Sequence, residues 1–307
     1  MLKDNPFEVD NRIKNEIKSQ LENLSTQSRN YINDIVVLIN KEIGINKILS
    51  IILFGSQRAA SKEFTEVSDC DLLIIFKDRV SNRHIREIEK YFIALEIKHN
   101  FREFNFKLVN KLLSVVQQTT GMFISHFLTK RKYWEDAKFH KIFNVNKFFS
   151  KLFAPRKIVL CSVIDNSNIL YGKDLRDITL KRVSIPPFDM IKSTAMNLMI
   201  SLFSIIIIPF KKLKPMKYQL EAVKWALRAS NYYSFEDSEP LEKLVKRFML
   251  LEKMTINKRH ARMFYKRFLD LRKEPRMDIG FMLRCPLRIL KIHVKGILFK
   301  KMLNKTK

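Results

Sequence analysis

A chain of 307 residues exceeds the usual single-domain size, so two medium domains are expected. Its composition, 46% hydrophobic and 29% charged with only six glycines, supplies material for a real core and excludes a loop-rich or disordered protein. Fifty-eight Lys and Arg against 31 Asp and Glu give a formal charge of +27, a field that attracts nucleic acid, nucleotides or anionic membrane, although lysines spread over solvated faces give the same sum.

The first eleven residues are polar and lack an apolar run, which argues against secretion and makes the cytoplasm the expected location. Over 10–43, Ile13, Ile17, Leu21 and Leu24, then Ile32, Ile35, Val36, Ile39 and Ile43, follow a 3.6-residue period and predict one or two amphipathic helices. The run KILSIILF, 47–54, is short, apolar and β-branched and ends at Gly55, so it reads as a buried strand; Leu72 to Phe76 reads as a second. A helix is expected over 82–99 and a third strand at FNFKLV, 104–109, which makes this half an α/β module. Residues 112–153 look mostly helical, and a turn at 165–168 precedes a short Ile169-Leu170-Tyr171-Gly172.

Pro186-Pro187 breaks the chain. The expected domains are therefore 1–180, with a helical lead-in over 1–45, and 181–307, an all-α helical bundle with a basic tail. The stretch 195–210 is apolar but contains Asn197, Ser201, Ser204 and Pro209 and is shorter than the roughly 20 residues that cross a bilayer. A buried bundle helix, and no transmembrane span, is the expectation. From Arg288 apolar and basic residues alternate, which suits a cationic amphipathic helix for RNA or an anionic membrane surface, or one docked on its own domain.

The chemistry concentrates in 51–76, IILFGSQRAASKEFTEVSDCDLLIIF. Asp69 and Asp71 stand at i and i+2 at a strand entrance, so their carboxylates are expected on one face, where they can hold Mg²⁺ and leave positions for triphosphate oxygens. Gly55 permits a sharp turn, and Ser56 offers a hydroxyl and backbone N–H groups to phosphate. A strand–loop–strand with solvated turn residues is the plain alternative. The three cysteines lack CxxC spacing and the histidines lack HExxH, so a zinc site is not indicated.

This segment resembles the signature of the DNA polymerase β-like nucleotidyltransferase superfamily, in which a strand ends in Gly-Ser and Asp-x-Asp opens the next strand. Here twelve residues, Gln57 to Ser68, intervene, and Ser68-Asp69-Cys70-Asp71-Leu72-Leu73 matches the S-D-x-D-L-L form. Ile169 to Leu175, ILYGKDL, is similar to the LYG-x-DL ending of such N-terminal domains, and KYQLEAVKWAL, 217–227, resembles a helix in the C-terminal halves of antibiotic-type nucleotidyltransferases. The resemblance implies that Gly55 and Ser56 contact triphosphate and that Asp69 and Asp71 ligate Mg²⁺. It implies transfer of a nucleoside monophosphate, with AMP from ATP the leading case, to a hydroxyl of a small molecule, protein or RNA.

Members of the superfamily add a third carboxylate from a later strand. FNFKLV offers Asn105 and Lys107, with Glu103 just before it, so the third acid is Glu103, comes from elsewhere, or is missing. Arg58, in the loop, and Lys217 and Lys224, which share a helix face with Glu221, are candidates for phosphate contact; a solvated arginine and a salt-bridged helix face are the alternatives. A degenerate nucleotide- or RNA-binding module and a toxin–antitoxin component remain as competing functions.

Overall fold

The computed structural model describes residues 21–22, 24–55, 70–101, 125–177, 185–209, 214–252 and 258–305. Their elements form two compact units, the first α/β and the second wholly helical, which is the fold class expected from the sequence.

The first unit is built on a four-stranded mixed sheet in the order β3-β2-β1-β4. Strand β1 (Ile48–Phe54) pairs antiparallel with β2 (Asp71–Phe76) and with β4 (Ser167–Gly172), and β2 pairs parallel with β3 (His126–Lys130). The two central strands are buried along nearly their whole length, which is why both read as unbroken apolar runs and not as alternating ones. One face is covered by α1 (Thr26–Glu42) and α2 (Asn82–Lys98). Tyr31, Ile35 and Ile39 from α1 meet Ile51, Leu72 and Ile74 from the sheet and Phe92 from α2 in one core. Serines set both helix starts: Ser25 Oγ accepts from the Ser28 N–H and Ser81 Oγ from the His84 N–H.

Strand β3 corrects the sequence reading, because it lies within the stretch read as mostly helical. A five-residue strand has too few positions to reveal its period, and HFLTK is held by its neighbour, with the Leu72 N–H bonded to the Ser125 carbonyl at 2.8 Å as the ladder begins. The strand expected at 104–109 falls outside the described residues. Short helices α3 (Arg131–Glu135) and α4 (Phe139–Ile142) follow β3, and α5 (Lys147–Phe153) leads from the first unit, to which residues through Ser150 belong, into the second. Strand β4 begins at Ser167, inside the predicted turn, and ends at Gly172. There φ is +83° and an added Cβ would lie 2.2 Å from the Leu49 carbonyl oxygen, so only glycine fits.

The second unit comprises α6 (Arg156–Asp165), α7 (Pro187–Ile206), α8 (Pro215–Phe235), α9 (Leu241–Glu252), α10 (Lys258–Lys273) and α11 (Ile279–Lys305). Helix α8 is its axis, with α6, α7, α9, α10 and α11 all packed on it. Prolines open α7 and α8, where a missing N–H costs nothing. The polar residues of α7 form a seam: Gln219 of α8 bonds Ser201 and Ser204, and His293 of α11 bonds Ser193 at 3.1 Å. Helix α7 is long and apolar enough to cross a membrane, yet half of that stretch is buried inside the unit. The basic tail is part of a helix that starts at Ile279 and runs through Pro286, earlier than the proline suggested.

Candidate phosphate and metal site

The antiparallel pair β1–β2 ends with Phe54 opposite Asp71. The next residue, Gly55, turns with φ +82°, a conformation that side chains disfavour. A Cβ at Gly55 would lie 2.2 Å from Asp71 Oδ2, so the Asp71 carboxylate rests directly on the glycine of the turn. Sequence proximity does not force this, since fifteen residues separate Gly55 from Asp71; pairing of the two strands does.

Alternation along β2 explains the aim of the carboxylate. Cys70, Leu72, Ile74 and Phe76 all enter the core beneath α1 and α2, so Asp71 emerges on the opposite face, half-buried at the mouth of the strand. Asp-Cys-Asp is thus anchored by a buried central cysteine. A carboxylate at such a mouth is a hard oxygen donor that fits a divalent cation such as Mg²⁺. Among the described residues no group of three or more His, Cys, Asp or Glu is gathered that could hold a metal. Asp69, Ser56, Arg58 and Glu103 lie outside the described residues, so of the sequence candidates the structure brings Gly55 and Asp71 together.

The same end of β1 is braced by β4 and by the segment similar to LYG-x-DL. Ser167 pairs with Phe54, and its carbonyl accepts from Arg176 Nη1 at 2.8 Å. Arg176 in turn grips Asp174, whose carboxyl it holds below the usual range against the opposing effect of partial burial. The indole N–H of Trp134 donates to the Leu175 carbonyl at 2.9 Å, which makes this buried tryptophan a core anchor. These bonds fix the strand end from which Gly55 turns.

Behind the site lies a polar cluster that the sequence did not disclose. His126 Nδ1 and Glu96 Oε1 are 2.7 Å apart, both almost fully buried, in a contact between α2 and β3 that spans thirty residues of chain. Burial, with Glu96, Cys70 and Asp71 nearby, drives the Tyr31 hydroxyl far above its ordinary pKa. That hydroxyl finds no hydrogen-bond partner among the described residues. Strand β3, which flanks β2, contributes no carboxylate, and Glu96 is engaged with His126.

No protein-family profile and no curated protein sequence matches the chain. Among solved structures it is similar to spectinomycin adenyltransferase AAD(9) from Enterococcus faecialis, crystallised with ATP and spectinomycin. The identity is 9% and the TM-score 0.49, over 87% of this chain and 98% of that one.

Lys217 and Lys224 both lie on α8 in the second unit. Lys217 is half-buried in the first turn of the helix. Lys224 is buried and ion-paired with Glu221, which also receives Arg272 Nη1 at 3.1 Å. Burial alone would raise the Glu221 carboxyl, but Lys224 and Arg272 outweigh it and hold the group at about 2. The same burial pulls the Lys224 ammonium below its usual value, with Glu221 opposing.

Proposed function

We propose that the chain is a nucleotidyltransferase that moves a nucleoside monophosphate, AMP from ATP in the leading case, onto a hydroxyl acceptor. The observation that carries the reading is the Asp71 carboxylate seated on the left-handed turn at Gly55, in the setting that Gly55-Ser56 and Asp69-Cys70-Asp71 predict. With Cys70 sunk in the core, strand alternation favours Asp69 and Asp71 as the pair that would hold a divalent cation. Such a cation supplies charge neutralisation to the triphosphate. Gly55 lets the backbone approach the phosphates closely, and Ser56 would offer its hydroxyl and N–H. In the reaction an acceptor oxygen forms a bond to the α-phosphorus, the bond from that phosphorus to the β-bridging oxygen breaks, and pyrophosphate leaves. The acceptor proton passes to a base, for which Glu103 is the candidate.

A second reading is supported by a specific observation: β3, the strand beside Asp71, brings no acid to the sheet. In that case the chain binds nucleotide without turnover.

ATP labelled in its α-phosphate, incubated with the full chain, Mg²⁺ and hydroxylated small molecules, protein and RNA, separates the two. The enzyme reading predicts a labelled acceptor and pyrophosphate, both reduced at least ~100-fold in Asp71→Asn, the scale of removing one preorganised charge-stabilising group. Equal labelling by that variant removes Asp71 from the site. ATP binding with no product from any acceptor supports the binding module.

A further inference from the structure

Helices α7 and α11 pack side by side on α8, joined by the bond of His293 to Ser193. Each presents a row of large apolar residues to solvent. On α7 the row is Phe188, Ile191, Met199, Leu202 and Ile206, each between 43% and 69% exposed. The two charged residues of that helix, Asp189 and Lys192, are buried; Lys192 borders the row, with its Nζ 4.9 Å from the centre of the Phe188 ring and bonded to the Lys151 carbonyl. On α11 the row is Leu283, Leu287, Leu290, Val294 and Leu298, between 43% and 67% exposed.

Both rows point away from α8. Ser201 and Ser204 face Gln219 from the opposite side of α7, and Gly296 meets Ser230 from the opposite side of α11. At 100° per residue, exposed Arg284 and Lys291 border the apolar row of α11 along one flank. Farther round that flank, Arg288 and Lys295 pair with Glu252. From Ile279 to Lys305 the chain has no Asp or Glu. An apolar area of this extent on a soluble fold marks an interaction surface.

We propose that this two-helix face docks on an anionic lipid bilayer, lying in the interface with α7 and α11 parallel to the membrane plane. The apolar rows would enter the boundary between headgroups and acyl chains, and Arg284 and Lys291 would meet lipid phosphates. Charge decides between occupants: a second copy of a chain carrying +27 would set one basic border against another, whereas anionic headgroups complement it. Helix α7 does not span in this arrangement, because Asn197 and the serine seam hold its other face in the unit and Asp189 accepts from the Lys157 N–H there. The proposal is independent of nucleotidyl transfer.

Flotation of the full chain with phosphatidylcholine vesicles, with and without phosphatidylglycerol, tests it. At least tenfold more protein should float with the anionic vesicles, and the double variant Leu202→Glu/Leu287→Glu should stay at the bottom. Both residues are more than half exposed, so its melting curve should match that of the wild type. Arg284→Gln/Lys291→Gln should weaken partitioning about 30-fold, from about 1 kcal/mol per basic residue at such a surface. This pair reads the claim even if the glutamate variant fails to fold. The proposal is overturned if the wild type does not float with anionic vesicles or if the glutamate variant, folded, floats equally. It is also overturned if light scattering reveals a dimer, or a gel shift an RNA complex, in place of vesicle binding.

Discussion

At the scale of single residues, the decisive feature is a glycine that two independent constraints require. Gly55 has φ +82° and the Asp71 carboxylate over its Cα. An alanine there incurs about 1–2 kcal/mol of left-handed strain and displaces the carboxylate as well. Gly55→Ala is therefore expected to lower ATP affinity by more than its small loss in thermal stability explains; an unchanged affinity would mean that the turn is not part of the site. Tyr31 gives the opposite kind of test. Its buried hydroxyl lacks a described partner, so Tyr31→Phe should leave stability unchanged or raise it by up to about 1 kcal/mol, measured by urea unfolding. A clear loss would reveal a bond to that oxygen. The sequence displayed Gly55 and Asp71 because glycine and paired acids have few uses beside apolar strands. It concealed Glu96–His126, since two polar residues thirty positions apart share no local pattern.

At the scale of elements, legibility followed length and period. Helices α1 and α2 and strands β1 and β2 were visible in their apolar spacing, whereas the five residues of β3 were not, because parallel pairing with β2 is what makes them a strand. The start of α11 was missed because Pro286 reads as a break, while the continuous helix is fixed by packing on α8. Gly296 marks that packing: an added Cβ would lie 2.9 Å from Ser230 Cβ and 3.1 Å from its carbonyl. Gly296→Ala should lower stability by about 1–3 kcal/mol despite the better helix propensity of alanine. At Gly280, where the nearest atom would be 3.6 Å away, the same change should not. The neighbouring His293 adds a pH dependence. Burial, opposed by its bond to the Ile289 carbonyl, pushes this imidazole down to about 4, so in the fold it stays neutral below its ordinary 6.5. As pH falls below 6.5 the unfolded chain takes up a proton that the folded chain refuses until about 4. Stability is constant above that window and declines within it, by about 2 kcal/mol between pH 7 and pH 5. His293→Gln should flatten this part of the pH profile; an unchanged profile would assign the loss to other groups.

At the scale of the whole molecule, the chain separates into an α/β unit carrying the Gly55–Asp71 turn and a helical unit carrying the apolar, basic face of α7 and α11. The charge of +27 suited either phosphate or lipid, and composition alone left the choice open. Local structure divides the roles: acids and a left-handed turn in one unit, exposed apolar rows edged by Arg284 and Lys291 in the other. The central claim is that the strand mouth at Asp71 binds polyphosphate with a divalent cation, and it is tested most directly without any acceptor. Equilibrium dialysis of ATP against wild type and Asp71→Asn, each with Mg²⁺ and with chelator, should give Mg²⁺-dependent binding to the wild type that weakens at least ~10-fold in the variant. Equal affinity in both proteins, or binding indifferent to Mg²⁺, would contradict the account.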